Sequence, residues 1–226
     1  MSIKPASLSI PSILHPENVD RAAELLRSYM GLGANPPYTG ASFETIGAEW
    51  SHPGDVHDVT PADVVALATL SVEVRGPAAI DLLGARGREA TGLLRQIPTD
   101  LDLVDAEDEH IDDASPLGEL WRLVRRVPGM GPTRTSKLLA RKRPRLVPVY
   151  DSVIQAQLGL RDSGGFWAGL RNALQADGAY LDRHLQEIRE RAGLAEQLST
   201  LRVFDIVVWM DGQGTNGAGE GRSDEE

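Results

Sequence analysis

The residues best placed to do chemistry gather in the run Val127-Pro128-Gly129-Met130-Gly131 and just after it, at Thr133, Arg134, Thr135 and Lys137. A Gly-x-Gly turn between two helical segments allows close backbone approach, and the second helix then begins with amides that have no intrahelical acceptor. Those amides lie at the positive end of the helix dipole and suit a phosphate oxygen. Thr133, Arg134 and Lys137 are spaced to add side-chain contacts. The chemistry is anion binding, with Gly129, Met130, Gly131, Thr133, Arg134, Thr135 and Lys137 as binding residues. Gly131 is expected at positive φ, where a β-branched residue is strained.

Other candidates are weaker. His52, Asp55, His57 and Asp58 form a loose set with no regular element to fix metal geometry, so no metal site is assigned. Asp205 interrupts an apolar helix and is read as half of a buried pair with an arginine. Trp121, Trp167, Tyr180 and Trp209 fall on helical apolar stripes and read as core, whereas Trp50 has no stripe to serve and is the aromatic to test for a ligand.

The elements that must position these residues are helical throughout. Val19, Ala22, Ala23 and Leu26 form one stripe; Val64, Leu67, Ala68 and Ser71 form another, opened by Thr60-Pro61 as cap and first helical residue. Shorter helices are expected at 78–83 and 89–97, and Leu117, Leu120, Trp121 and Val124 share the face that leads into the hairpin. Helical spacing returns at 150–158, 166–176 and 180–191, and 201–210 is apolar almost all round. The segment from Met30 to Thr60 reads as a long loop, and Ser7–Leu14 is the one stretch with a hint of strand alternation.

The fold class is therefore all-α, a two-lobed bundle of about eight to ten helices with a helix-hairpin-helix element at 116–143. The expected division is 1–59, an N-terminal helix and long loop packing on the C-terminal lobe; 60–150, the lobe that holds the hairpin; 151–211, a C-terminal helical lobe; and 212–226, a disordered acidic tail.

Composition narrows the function. With no cysteine, disulfides, zinc-thiolate sites and iron–sulfur clusters are excluded, and nothing calls for a cofactor. No apolar run is long enough to span a membrane, and Met1–Leu14 lacks the layout of a secretory signal, so a cytoplasmic location is expected. A net charge of −10 argues against coating nucleic acid over the whole surface. Charge is nonetheless blocked: 99–115 is acidic, and Arg122 to Arg145 carries nine cations and no acid. Because the runs flank the hairpin, the basic one is read as a local binding surface.

The stretch Leu-Val-Arg-Arg-Val-Pro-Gly-Met-Gly-Pro-Thr-Arg-Thr resembles the helix-hairpin-helix of the base-excision DNA glycosylase superfamily. The run Pro148-Val149-Tyr150-Asp151-Ser152-Val153 extends the resemblance, since that superfamily carries a catalytic aspartate at the start of the next helix, at the same distance from the second glycine as Asp151. The resemblance implies that Asp151 stabilises an oxocarbenium-like state and orients water during N-glycosidic hydrolysis. An aspartate before Ser-Val-Ile is equally what a helix start requires. Thr133 stands where backbone-cleaving members carry a nucleophilic lysine, which implies no lyase step, and Val153 replaces the superfamily's histidine. The interval before the hairpin looks shortened, which leaves the base pocket in question. Over most of its length the chain also resembles an uncharacterised family of bacterial proteins, which implies no activity.

Three functions follow as expectations. The first is binding of DNA or structured nucleic acid through its backbone; the second is a monofunctional DNA N-glycosylase using Asp151; the third is a helical interaction scaffold that keeps the hairpin for packing. A cleft joining Asp151 to the hairpin favours the second, and hairpin amides covered by the protein itself favour the third.

Overall fold

The computed structural model describes residues 5–50, 52–195 and 197–216. Among them are ten α-helices, no strand, and six short 3-10 turns. The all-α expectation therefore holds. The hinted strand at 7–14 is instead extended chain ending in a 3-10 turn at Ser12–Leu14. Its backbone bonds go to helix ends, Ala6 N–H to the Gly165 carbonyl and Ser9 N–H to that of Leu158, so no ladder forms.

Helix α1 (Val19–Tyr29) buries Ala22, Ala23, Leu26 and Tyr29 against α9 (Phe166–Arg191) and α10 (Thr200–Asn216). A loop with three 3-10 turns leads to α2 (Pro61–Thr69), whose start is built as the sequence predicts: Thr60 accepts from the Asp63 amide and Asp63 from that of Thr60. The buried face of α2 is Asp63, Ala66 and Leu67, with Ala68 and Ser71 exposed, because the helix turns one residue away from the expected stripe to bury Asp63. Helices α3 (Gly76–Leu83) and α4 (Ala85–Leu94) follow, with α4 against α6 (Pro116–Arg125). A single turn, α5 (Asp108–Ile111), lies in the acidic stretch.

Helix α7 (Pro132–Lys142) packs on both α6 and α2, and α8 (Ser152–Gln157) packs on α10. The residues from 176 to 179 leave helical geometry inside α9, with Asp177, Gly178 and Ala179 all left-handed, so the two separate helices read from the sequence meet at a kink. The helix α10 continues through Gly212 to Asn216, beyond the expected boundary of a disordered tail. The reason is packing: a Cβ at Gly212 would lie 2.6 Å from Val153 Cγ1, so that glycine lets α10 run close along α8. Residues 217–226 lie outside the described residues. One contiguous apolar cluster runs from Ile13 to Met210.

Candidate functional site

The turn between α6 and α7 is set by Gly129, at φ +88°, with the Met130 amide donating to the Val127 carbonyl at 3.0 Å. Gly131 caps α7 with φ −67° and ψ 176°, an extended geometry open to any residue. The expectation of positive φ at Gly131 is thus corrected: the reversal is completed two residues earlier, and Pro132 then fixes the first helical φ. The turn's carbonyls are taken by its own cations, Arg125 Nη1 to Met130 O at 2.9 Å and Arg134 Nη1 to Gly129 O at 3.1 Å. Arg134 Nε also donates to the Glu73 carbonyl. Gly129 is exposed, and the first-turn amides of Thr133 and Arg134 lack an intrahelical acceptor.

The candidate binding residues divide from there. Gly129, Gly131, Thr133 and Arg134 lie at the accessible turn, whereas the side chains of Met130 and Thr135 are buried beneath it. Lys137 also leaves the turn. It is only 5% exposed, and its ammonium donates to the Leu70 carbonyl at 2.9 Å and stands 3.6 Å from Asp151 Oδ2. Desolvation lowers its pKa below the ordinary lysine value, against the opposing pull of Asp151.

Asp151 is the N-cap of α8. Its Oδ1 accepts from the amides of Val153 and Ile154, both at 3.0 Å, while Oδ2 turns toward Lys137. Ser136 holds this carboxylate in register with α7, because its hydroxyl donates to the Tyr150 carbonyl and accepts from the Tyr150 amide. The segment before α8 is thus tied to the helix that carries Thr133 and Lys137.

A cavity of about 560 Å³ joins these groups, lined among others by Thr133, Lys137, Asp151, Asp205, Tyr38 and Trp209. Tyr29 stacks on Tyr38 at 5.3 Å, and Trp209 meets both edge-on. Arg202 pairs with Glu44 at 2.6 Å and donates through Nη2 to the Tyr29 hydroxyl and the Gly40 carbonyl.

Asp205 departs from the expected arginine pair. Its Oδ2 accepts from the Val149 amide at 2.9 Å, no cation among the described residues forms an ion pair with it, and Oδ1 is buried without a hydrogen-bond partner among them. Burial pushes the carboxyl up to about 8, opposed by Arg202 and the Val149 amide and reinforced by Asp151 and Glu44. At neutral pH it carries its proton. Because Oδ2 accepts from Val149, that proton belongs on Oδ1.

Sequence reasoning missed Tyr29, Tyr38, Ser136 and Arg202. The one available signal was Arg202 and Asp205 at i, i+3 on an otherwise apolar helix. Trp209 lines the cavity as well as packing, and Trp50, 76% exposed, takes no part in it. The loose histidine set has structural duties: Asp55 accepts from the His52 amide, His57 faces Arg143, and Asp58 accepts from Thr91. Among the described residues no group of three or more histidine, aspartate or glutamate side chains could hold a metal ion, and no helix is long and apolar enough to cross a membrane.

Residues 22–212 match a family of unknown function, DUF6308, and the chain belongs to that family. No curated protein and no solved structure matches it.

Proposed function

We propose that this protein hydrolyses an N-glycosidic bond in a nucleic acid whose backbone is held at the α6–α7 turn, with Asp151 as the catalytic carboxylate. The observation that carries this reading is the cavity that runs from Thr133, at the start of α7, to Asp151. In this reading the turn acts as a helix-hairpin-helix, and the cavity is the cleft between a lobe at 60–150 and a lobe of 151–211 joined by the N-terminal helix. The phosphate meets the amides of Thr133 and Arg134. The nucleotide's sugar then lies beside Asp151, whose Oδ2 opposes positive charge developing at C1′ and orients the attacking water.

Capping and catalysis are compatible here, because the carboxylate caps with one oxygen and presents the other. With Thr133 in place of a nucleophilic lysine, the reaction ends at base release.

The test is base release from a panel of damaged and undamaged oligonucleotides, read as alkali-labile breaks. Asp151→Asn should lower it about 100-fold or more; asparagine keeps the N-cap, but buried Lys137 loses its carboxylate, so some stability is lost as well and thermal melting of the variant is measured alongside. Borohydride should trap no covalent complex. A complex that forms and disappears in Lys137→Gln would move the nucleophile one turn along α7, and no release from any substrate would remove the hydrolase assignment.

A further inference from the structure

The cavity contains a polar group that the hydrolytic step at Asp151 does not use. Asp205 is 4% exposed, lines the cavity, and leaves Oδ1 without a partner. A buried polar atom without a partner costs stability, so its persistence asks for an explanation beyond packing. The explanation lies in what a neutral carboxyl can do that a carboxylate cannot. It donates one hydrogen bond from Oδ1 while Oδ2 keeps the Val149 amide.

The groups that set this state come from every element around it: Arg202 on α10, Tyr29 on α1, Glu44 in the loop after α1, Lys137 on α7 and Asp151 before α8. Neither Arg202 nor Lys137 forms an ion pair with Asp205, and Arg202 is already bound to Glu44, Tyr29 and Gly40. Tyr38, exposed, and Trp209, half-buried, line the same cavity and meet edge-on. A hydrogen-bond donor beside aromatic surface fits a flat nitrogen heterocycle with a ring acceptor.

We propose that Asp205 recognises a neutral nucleobase by donating from Oδ1 to a ring nitrogen, and that the same group protonates the base as it leaves. This inference rests on the hydrolase reading for its second half only. In that step the C1′–N bond breaks with its electron pair passing to the base, and the proton of Asp205 moves onto the base nitrogen. Water supplies the oxygen to C1′ and gives its proton to Asp151. The products are a neutral free base, a C1′ hydroxyl, an Asp205 carboxylate and a protonated Asp151, and exchange with solvent returns a proton to Asp205 and removes the one on Asp151.

The substrate class follows from the need for a proton. Neutral bases are poor leaving groups and need the acid, whereas an N7-alkylated purine is already cationic and does not.

Two measurements on the full chain test this. The first is calorimetric binding of free adenine at pH 6.5 and pH 9. The wild type should bind at least tenfold more weakly at pH 9, and Asp205→Asn, which keeps a neutral donor, should lose that pH dependence. The second is release of adenine and of N7-methylguanine from oligonucleotides. Asp205→Asn should lower adenine release about 100-fold or more and N7-methylguanine release tenfold at most.

Equal pH dependence in both proteins, absence of adenine binding to the wild type, or an equal loss on both substrates overturns the role of Asp205. If adenine binds as expected but the wild type releases no base from any oligonucleotide, recognition by Asp205 stands and the hydrolase reading falls. Circular dichroism of Asp205→Asn keeps a folding defect from passing as a loss of binding.

Discussion

The two halves of α7 face buried carboxylates of equal exposure and opposite circumstance. Toward its C-terminal end, Asp63 is 4% exposed and both of its oxygens have partners: the Thr60 amide and hydroxyl and Lys142 Nζ at 2.8 Å on Oδ2, and Arg141 Nε at 3.4 Å on Oδ1. On the side of its N-terminal half, Asp205 is also 4% exposed, yet one oxygen has no partner. The first arrangement holds the fold, since it ties the helix to α2 and to the loop before it. The second leaves an oxygen without a partner in a residue that lines a cavity. A buried charge alone therefore says little about role; what separates the two is whether the protein itself satisfies it.

The same contrast revises the reading of the basic run. At its C-terminal end Arg141 also donates to the carbonyls of Phe43 and Ile46, Lys142 to that of Asp55, Arg143 to those of Ile97, Val56 and Leu94, and Arg145 pairs with Asp102. Arg141, Lys142 and Arg143 are internal fasteners, whereas Arg122, Arg125 and Arg126 at the end of α6 stay exposed and Arg134 at the start of α7 is partly so.

The sharpest way to break the comparison is Asp63→Ala. It leaves Lys142 buried without its carboxylate and should cost about 3–5 kcal/mol in urea unfolding. A loss under 1 kcal/mol would mean that the two carboxylates are equally dispensable.

Asp205→Asn should do the reverse as pH rises. The raised carboxyl keeps its proton in the native state up to pH of about 8, while in the unfolded chain it ionises near pH 4. Between these values the native state holds the extra proton, so wild-type stability should fall with rising pH by about 1.4 kcal/mol per unit. The asparagine variant should lack this contribution, and parallel stability curves for the two proteins from pH 5 to 8 would show that Asp205 is ionised in the fold.

The smallest effects belong to the turn. Gly129→Ala places a Cβ at φ +88° and should cost about 1–2 kcal/mol, whereas Gly131→Ala, with only Arg125 Nη1 at 3.9 Å, should cost under about 0.5 kcal/mol. Equal melting temperatures for the two variants would contradict the placement of the reversal at Gly129.

The helices were legible where their signals are local. Thr60-Pro61 caps α2 through residues three apart, and the α7 boundaries follow from Gly131-Pro132 and the stripe beyond. Asp151 was legible as a cap for the same reason. The cavity was not, because Tyr29 and Tyr38 reach Arg202 and Trp209, on the helix that carries Asp205, only through contacts that cross most of the chain. The C-terminal part of the basic run misled because the acids and carbonyls that engage it are 43 to 98 residues away, where no sequence window places them together. Gly131 was misassigned because two glycines flank one turn and composition does not say which supplies the left-handed residue.

The double tie of Ser136 to Tyr150 has a consequence for the order in which the site assembles. It closes a loop of only 14 residues, while Val149–Asp205 spans 56, Lys137–Leu70 spans 67, and Arg202 reaches Gly40 and Tyr29 across 162 and 173. Closure entropy grows with span, so the short tie forms at the least cost and the contacts of Arg202 at the greatest. Asp151 is thus set against α7 early, and the aromatic side of the cavity arrives last. In native-state hydrogen exchange the Tyr150 amide should open at a higher free energy than the amide of Tyr38, so that the cavity gapes along its Tyr38 edge while the carboxylate stays in place.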